Sequence, residues 1–147
     1  MRIKQRQVLP CVDRQQSAAI KVYVTETIAE NDILSLAGMQ GSFMKVQKGL
    51  SAGGDGLANR AIGVAAFGAS TGDIVAVLLP WKVIKNVNTS ATGLNAAVGT
   101  KLYLSSAIGD TGGFGPGYLK NAASHGNPAI GACLVQHVTD GVVWVKP

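Results

Sequence analysis

The stretch Ala61–Pro80 reads AIGVAAFGASTGDIVAVLLP, and Ala129–Pro147, sixty-eight residues further on, reads AIGACLVQHVTDGVVWVKP. Each opens on Ala-Ile-Gly, passes a Thr-Gly-Asp or Thr-Asp-Gly corner, enters four or more apolar residues and closes on proline. Both read as β-hairpins. The first joins Ala61–Phe67 to Asp73–Leu79 around the glycine-bearing connection Gly68–Gly72, and the second joins Ala129–Val135 to Val142–Val145. As related elements they are expected to pack together in one small barrel. Two copies alone do not separate a true repeat from chance likeness between apolar strands.

The composition inside these hairpins says more than their likeness. A strand with one wet face alternates apolar and polar residues. Ile74-Val75-Ala76-Val77-Leu78-Leu79 and Val142-Val143-Trp144-Val145 are instead apolar on both faces. One face fills a core, and the other must also be kept from water, by a neighbouring sheet of the same chain or by another subunit. Val75, Val77, Leu79, Trp81, Val143 and Trp144 are therefore the residues expected at an oligomer interface or in the core.

Outward from the hairpins the chain keeps a β rhythm. Ala18–Thr25 alternates, with Ile20, Val22 and Val24 on one side, and Ser42–Gln47, Trp81–Val87 and Lys101–Ser105 read as further strands. In Thr27–Ala37, Thr25 or Thr27 would suit a helix cap. Asn31-Asp32 suits a turn feeding a strand Ile33–Leu36, and the turn is preferred. Tyr118-Leu119 begins a return strand. Gly49–Gly56 and Gly109–Gly117 read as loops; neither has the Gly-Lys-Ser/Thr of a phosphate loop. The sum is an all-β fold, a small β-barrel or β-sandwich of about eight or nine short strands. A basic N-terminal arm over residues 1–16 precedes a β domain over 17–147.

Composition narrows the function classes. Charged residues are only 14% of the chain, against about 25% in ordinary soluble domains, and sparse charge favours association. The net charge of +5 is concentrated early, in Arg2, Lys4, Arg6 and Arg14. Such an arm suits an acidic partner surface or nucleic acid, or is simply solvated. No apolar run approaches the roughly 20 residues that span a bilayer, and no apolar segment follows the basic N-terminus as in a secretory signal. Cys11 and Cys133 have no metal or redox spacing, which favours a reduced, intracellular setting.

The search for chemistry returns little. Ser124, His137 and Asp140 compose a triad only on paper, with no nucleophile-elbow context. The aspartates sit mostly beside glycine or asparagine, where turns want them. No cofactor, metal or small-molecule substrate is expected, and catalysis is disfavoured. Binding of single-stranded nucleic acid is the chemical rival, with Trp81-Lys82, Tyr103 beside Lys101, and Tyr118 near Lys120 as its best features. Aromatics are only 5% of the chain, which is thin for stacking platforms.

One ordered set of phrases carries a resemblance. Gly63-Val64-Ala65-Ala66 leads to Gly72-Asp73-Ile74-Val75-Ala76-Val77, then Val98-Gly99-Thr100-Lys101-Leu102-Tyr103-Leu104, then Ile130-Gly131-Ala132 and the closing Val142–Val145. This layout resembles the capsid cement, or head decoration, proteins of tailed bacteriophages, over residues 28–146. The resemblance implies a small β protein that forms a homo-oligomer, a trimer in that family. It would bind the major capsid protein on the outside of an icosahedral head, so the virion exterior would be its location, reached from the host cytoplasm. The family's N-terminal segments vary. A capsid-gripping role for Arg2, Lys4, Arg6 and Arg14 is therefore an expectation from charge alone. Another β subunit of the virion, such as a tail or fibre-base component, is the structural alternative.

Overall fold

The computed structural model describes residues 19–50, 60–105, 119–123 and 127–147. The basic arm, Cys11, Ser124, His125 and the loop 109–117 lie outside the described residues. Among the described residues there is no helix and there are ten strands. They are β1 (Ile20–Val24), β2 (Ile33–Gln40), β3 (Phe43–Lys48), β4 (Ala61–Ala65), β5 (Ile74–Leu79), β6 (Lys82–Val87), β7 (Lys101–Leu104), β8 (Leu119–Lys120), β9 (Gly131–Val135) and β10 (Gly141–Val145). The all-β expectation holds, with one or two strands more than the sequence suggested.

The strands divide into two modules. β1-β3-β2-β4-β5 close into a barrel, sealed by a parallel β1–β3 pair (Tyr23↔Lys45, Val24↔Val46) and an antiparallel β1–β5 pair. β6-β10-β9-β7-β8 form a five-stranded sheet. Reading β1 as β6, β2 as β7 and so on to β5 as β10, the two neighbour orders coincide. The hairpins of the sequence analysis therefore do not share a barrel. One lies in each module, as matching pieces of a duplicated five-stranded unit.

The duplication is written in the backbone more clearly than in the side chains. β2 pairs with β4 at Ile33↔Val64 and Leu34↔Gly63, and β7 with β9 at Lys101↔Ala132 and Leu102↔Gly131. Each residue of the second set is residue n+68 of the first. The turn before the strand repeats too. The Asn31 N–H donates to the Ala65 carbonyl (2.9 Å), and the Gly99 N–H to that of Cys133 (2.8 Å). The Ala65 N–H donates to Asp32 (2.8 Å), and the Cys133 N–H to Thr100 (2.9 Å). Asn31 and Gly99 both hold the left-handed conformation, with φ of 72° and 86°. Asparagine and glycine are the residues that tolerate it best. Gly63 and Gly131 match as well: a Cβ on either would strike the carbonyl oxygen of the neighbouring strand, Leu79 or Trp144.

Two sequence expectations change. Ala61–Phe67 and Asp73–Leu79 do supply two antiparallel paired strands, but Gly68–Gly72 is not the turn that closes them. β4 and β5 meet only at Val64↔Leu79 and Ala65↔Leu78. The segment between them crosses to bridge Ala69 with Ile28, and β5 pairs with β1 from Tyr23↔Ile74 to Ile20↔Leu78. Ile20 does not join Val22 and Val24 in the interior. The β1–β5 register shifts between Ile20 and Lys21, a bulge that turns Ile20 outward while Val22 and Val24 stay fully buried.

There are two cores. Val22, Val24, Leu34, Val46, Ala65 and Leu78 fill the barrel. The second core packs the inner face of the five-stranded sheet, including Ile84, Leu102, Cys133, Val143 and Val145, with Ile33 and Val64 of the barrel. Ile33 and Val64 face each other across β2–β4 and point away from the barrel interior, so they are the seam between modules. Each buried Ile, Leu or Val contributes about 1.5–3 kcal/mol. Polar links add less. The Lys82 ammonium donates to Asn31 Oδ1 (2.5 Å) and pairs with Glu30 (3.4 Å), but Glu30 is mostly exposed and such a pair contributes about 0–1 kcal/mol. Apolar burial holds the modules together.

Candidate assembly surface

The six residues expected at an interface or in the core separate cleanly. Val77 and Val143 are fully buried, in the barrel core and the second core. Val75 is half-buried and packs against the barrel core. Leu79 is 2% exposed beside Val64 on the seam. Trp81 and Trp144 remain at the surface, 42% and 39% exposed. The double-faced apolarity of β5 has an answer inside the chain: it lines the barrel, and Leu79 at its end is buried beside Val64. That of β10 has none among the described residues.

β10 is the second strand of its sheet, between β6 and β9, so its outward side chains have neighbours on both sides. Trp144 lies opposite Val83 on β6 and opposite Ala132 on β9, and Ala132 lies opposite Lys101 on β7. Residues directly opposite in an antiparallel pair share a face. The next residues inward, Ile84, Val143, Cys133 and Leu102, are all buried. Val83–Trp144–Ala132–Lys101 is therefore one row across four strands on the outer face. Val83 is 37% exposed, and Leu134, two residues along β9 from Ala132, is 43% exposed. The result is an apolar stripe with lysine at one end.

The sequence reading found Trp144 but passed over Val83 and Leu134. WKVIKNV was read as lysines alternating with apolar residues, yet Val83 faces out and Ile84 in, so the apolar pair straddles the sheet. Only the pairing with β10 identifies which of the two is outside. Leu134 was hidden in an apolar run whose buried member is Cys133, a residue that donates its thiol to the Ala96 carbonyl (3.3 Å).

Elsewhere several polar side chains serve local structure. His137 Nδ1 accepts the N–H groups of Thr139 (3.2 Å) and Asp140 (3.0 Å) and so shapes the β9–β10 connection. Asp32 Oδ2 accepts the Ala29 N–H, and Asp73 Oδ2 the Ser70 N–H, both as turn caps. Among the described residues no three His, Cys, Asp or Glu side chains gather as metal ligands, and no helix is long and apolar enough to cross a membrane. A cavity of about 490 Å³ opens at the seam. It is lined by Arg60, Ala61 and Ile62 and by their repeat counterparts Pro128, Ala129 and Ile130, with no convergent set of acids, bases or nucleophiles.

The outer row of the second sheet is thus an apolar, aromatic and exposed face among the described residues. Comparison of the chain with protein-family models, with curated proteins and with solved structures finds no match.

Proposed function

We propose that this chain is a structural virion protein that binds the outside of an icosahedral phage head as an oligomer, a trimer by the family resemblance, and stabilises the shell by bridging coat subunits. The observation that carries the reading is the outer stripe Val83–Trp144–Ala132 with Leu134, on a chain with few charges. An exposed apolar patch centred on an aromatic residue is what a protein–protein contact needs. The ordered phrases around Gly63, Gly72, Gly99 and Gly131 supply the word capsid, and the geometry supplies only the adhesive surface. Several modest contacts tied to one oligomer raise avidity about 10²–10⁴-fold without any catalytic group.

The test is cosedimentation with expanded, empty heads assembled from tailed-phage coat protein. Saturable binding to heads and none to free coat protein is the expected result. Equal binding to both, or to neither, overturns the reading.

One observation favours a second reading. Lys101 and Tyr103 flank buried Leu102 on the outer face, and Tyr103 lies opposite Lys120, so aromatic and basic groups share the face with Trp144. Single-stranded nucleic acid would use such a face by stacking and phosphate contact. Binding to single-stranded DNA that falls steeply with salt, without head binding, would replace the first reading with this one.

A further inference from the structure

The second module departs from the first in how its ends meet. In the barrel, Val46 of β3 pairs with Leu36 on one side and with Val24 of β1 on the other. Its carbonyl accepts both the N–H (3.1 Å) and the hydroxyl (2.8 Å) of Thr25. That pairing closes the barrel. Leu119 of β8 stands where Val46 stands, because its partner Leu104 is the repeat counterpart of Leu36. Leu119 has no second strand partner: among the described residues β8 pairs only with β7, and β6 only with β10.

Both of these end strands border a cleft of about 380 Å³. Ile84, Lys85, Asn86 and Val87 of β6 all line it, together with Leu94 and Leu119. Successive residues of a strand point to opposite faces, so four in a row on one cleft place it along the strand's edge. An edge offers backbone donors and acceptors to a further strand. With strands ~4.8 Å apart, a rise of ~3.3 Å per residue and layers ~10 Å thick, the cleft has room for about two to three residues of extended chain. The pairing that closes the barrel is of similar length, Tyr23↔Lys45 and Val24↔Val46.

We propose that the edge of β6 accepts an extended, acidic peptide segment of another protein, which pairs with the strand and sets an aliphatic side chain toward Leu94 and Leu119. The repeat supplies the mode, because the first module closes the matching edge by strand pairing. The lysines supply the sign of the charge. Lys82 is engaged by Glu30 (3.4 Å) and Asn31, whereas exposed Lys85 makes no ion pair among the described residues. They also argue against a second copy on the same edge, since lysine on an edge strand opposes pairing of like with like. Left-handed Asn86 (φ 61°) lies at the break in the β6–β10 register, a bulge that keeps the usable edge short.

Two capped hexapeptides are the probes: the sequence of β3, FMKVQK, and the same sequence with both lysines replaced by glutamate. Titrated against the full chain, the glutamate peptide is expected to bind saturably and about fivefold tighter than the lysine peptide. Lys85→Glu should reverse that order, and Lys101→Glu, on the outer face of the same sheet, should not. On the unaltered chain, bound peptide should slow amide hydrogen exchange along Lys82–Val87 by at least roughly tenfold. The proposal is overturned by a glutamate peptide that does not bind saturably, by an order that survives Lys85→Glu or that Lys101→Glu reverses equally, or by exchange in β6 that stays unchanged. Edge binding is independent of the cement reading. Heads bound without peptide binding remove this inference alone, and peptide bound at β6 by a chain that ignores heads removes only the cement reading.

Discussion

At the scale of single residues, the two modules share backbone requirements more than they share side chains. Asn31 and Gly99 stand at the same point of the same turn, each donating its N–H to the strand that follows in space. The common demand is a positive φ, which the two residue types meet in different ways. Gly99→Asn should then leave stability within about 1 kcal/mol of the parent, because asparagine already fills the matching place. Gly99→Val should cost about 1–2 kcal/mol or more, since a β-branched residue is strained there. Urea midpoints of the two variants measure the contrast. Equal losses would show that the turn does not depend on its backbone angle. The same logic explains what the sequence left unread. A repeat that conserves φ, glycine placement and register while exchanging Ile33 for Lys101 and Leu79 for Trp144 shows its likeness only where the side chains happen to agree, in the hairpins.

At the scale of elements, strand positions were legible because alternation is local, and partners were not because pairing is not local. β3, β6 and β7 fall within a residue or two of their expected places, and the Asn31-Asp32 turn before β2 is where the sequence put it. β5 shows the limit. Its apolar run was visible, but its pairing with β1 from Ile74 to Leu78 and with β4 at Leu78 and Leu79 alone has no signature in the run itself. The connection between β9 and β10 likewise depends on a residue far away in sequence. Buried Thr89 donates its hydroxyl to the Val135 carbonyl (2.9 Å) and accepts the His137 N–H (2.8 Å), pinning the loop to the segment after β6. Thr89→Val keeps the shape but strands both loop groups, so it should cost about 1–3 kcal/mol. Thr89→Ser keeps the hydroxyl and should lose only about 1 kcal/mol for a methyl group. Chemical denaturation of the pair separates the hydrogen bonds from the packing. A valine variant as stable as the serine one would mean that the loop is held by something else.

At the scale of the whole molecule, the exposed apolar row was half legible. Trp144 and the double-faced β10 pointed to it, but the same reasoning also marked Val77 and Val143, which the cores absorb. Only the sheet order tells an apolar residue between layers from one on the outside. The basic arm carries the remaining expectation. Deleting residues 2–16 should leave the number of subunits unchanged and weaken head attachment, if Arg2, Lys4, Arg6 and Arg14 grip the head as their charge suggests. Undiminished attachment at matched salt would remove the arm from the mechanism. The strand order has a consequence for how the chain is made. In each module the fifth strand lies between the first and the fourth: β5 beside β1 and β4, β10 beside β6 and β9. As the ribosome delivers the chain, the first four strands of each module wait with an unfilled place among them, and the last to emerge completes the sheet. Trp144 sits on that last strand. The outer row Val83–Trp144–Ala132 is therefore complete only when the second module is whole.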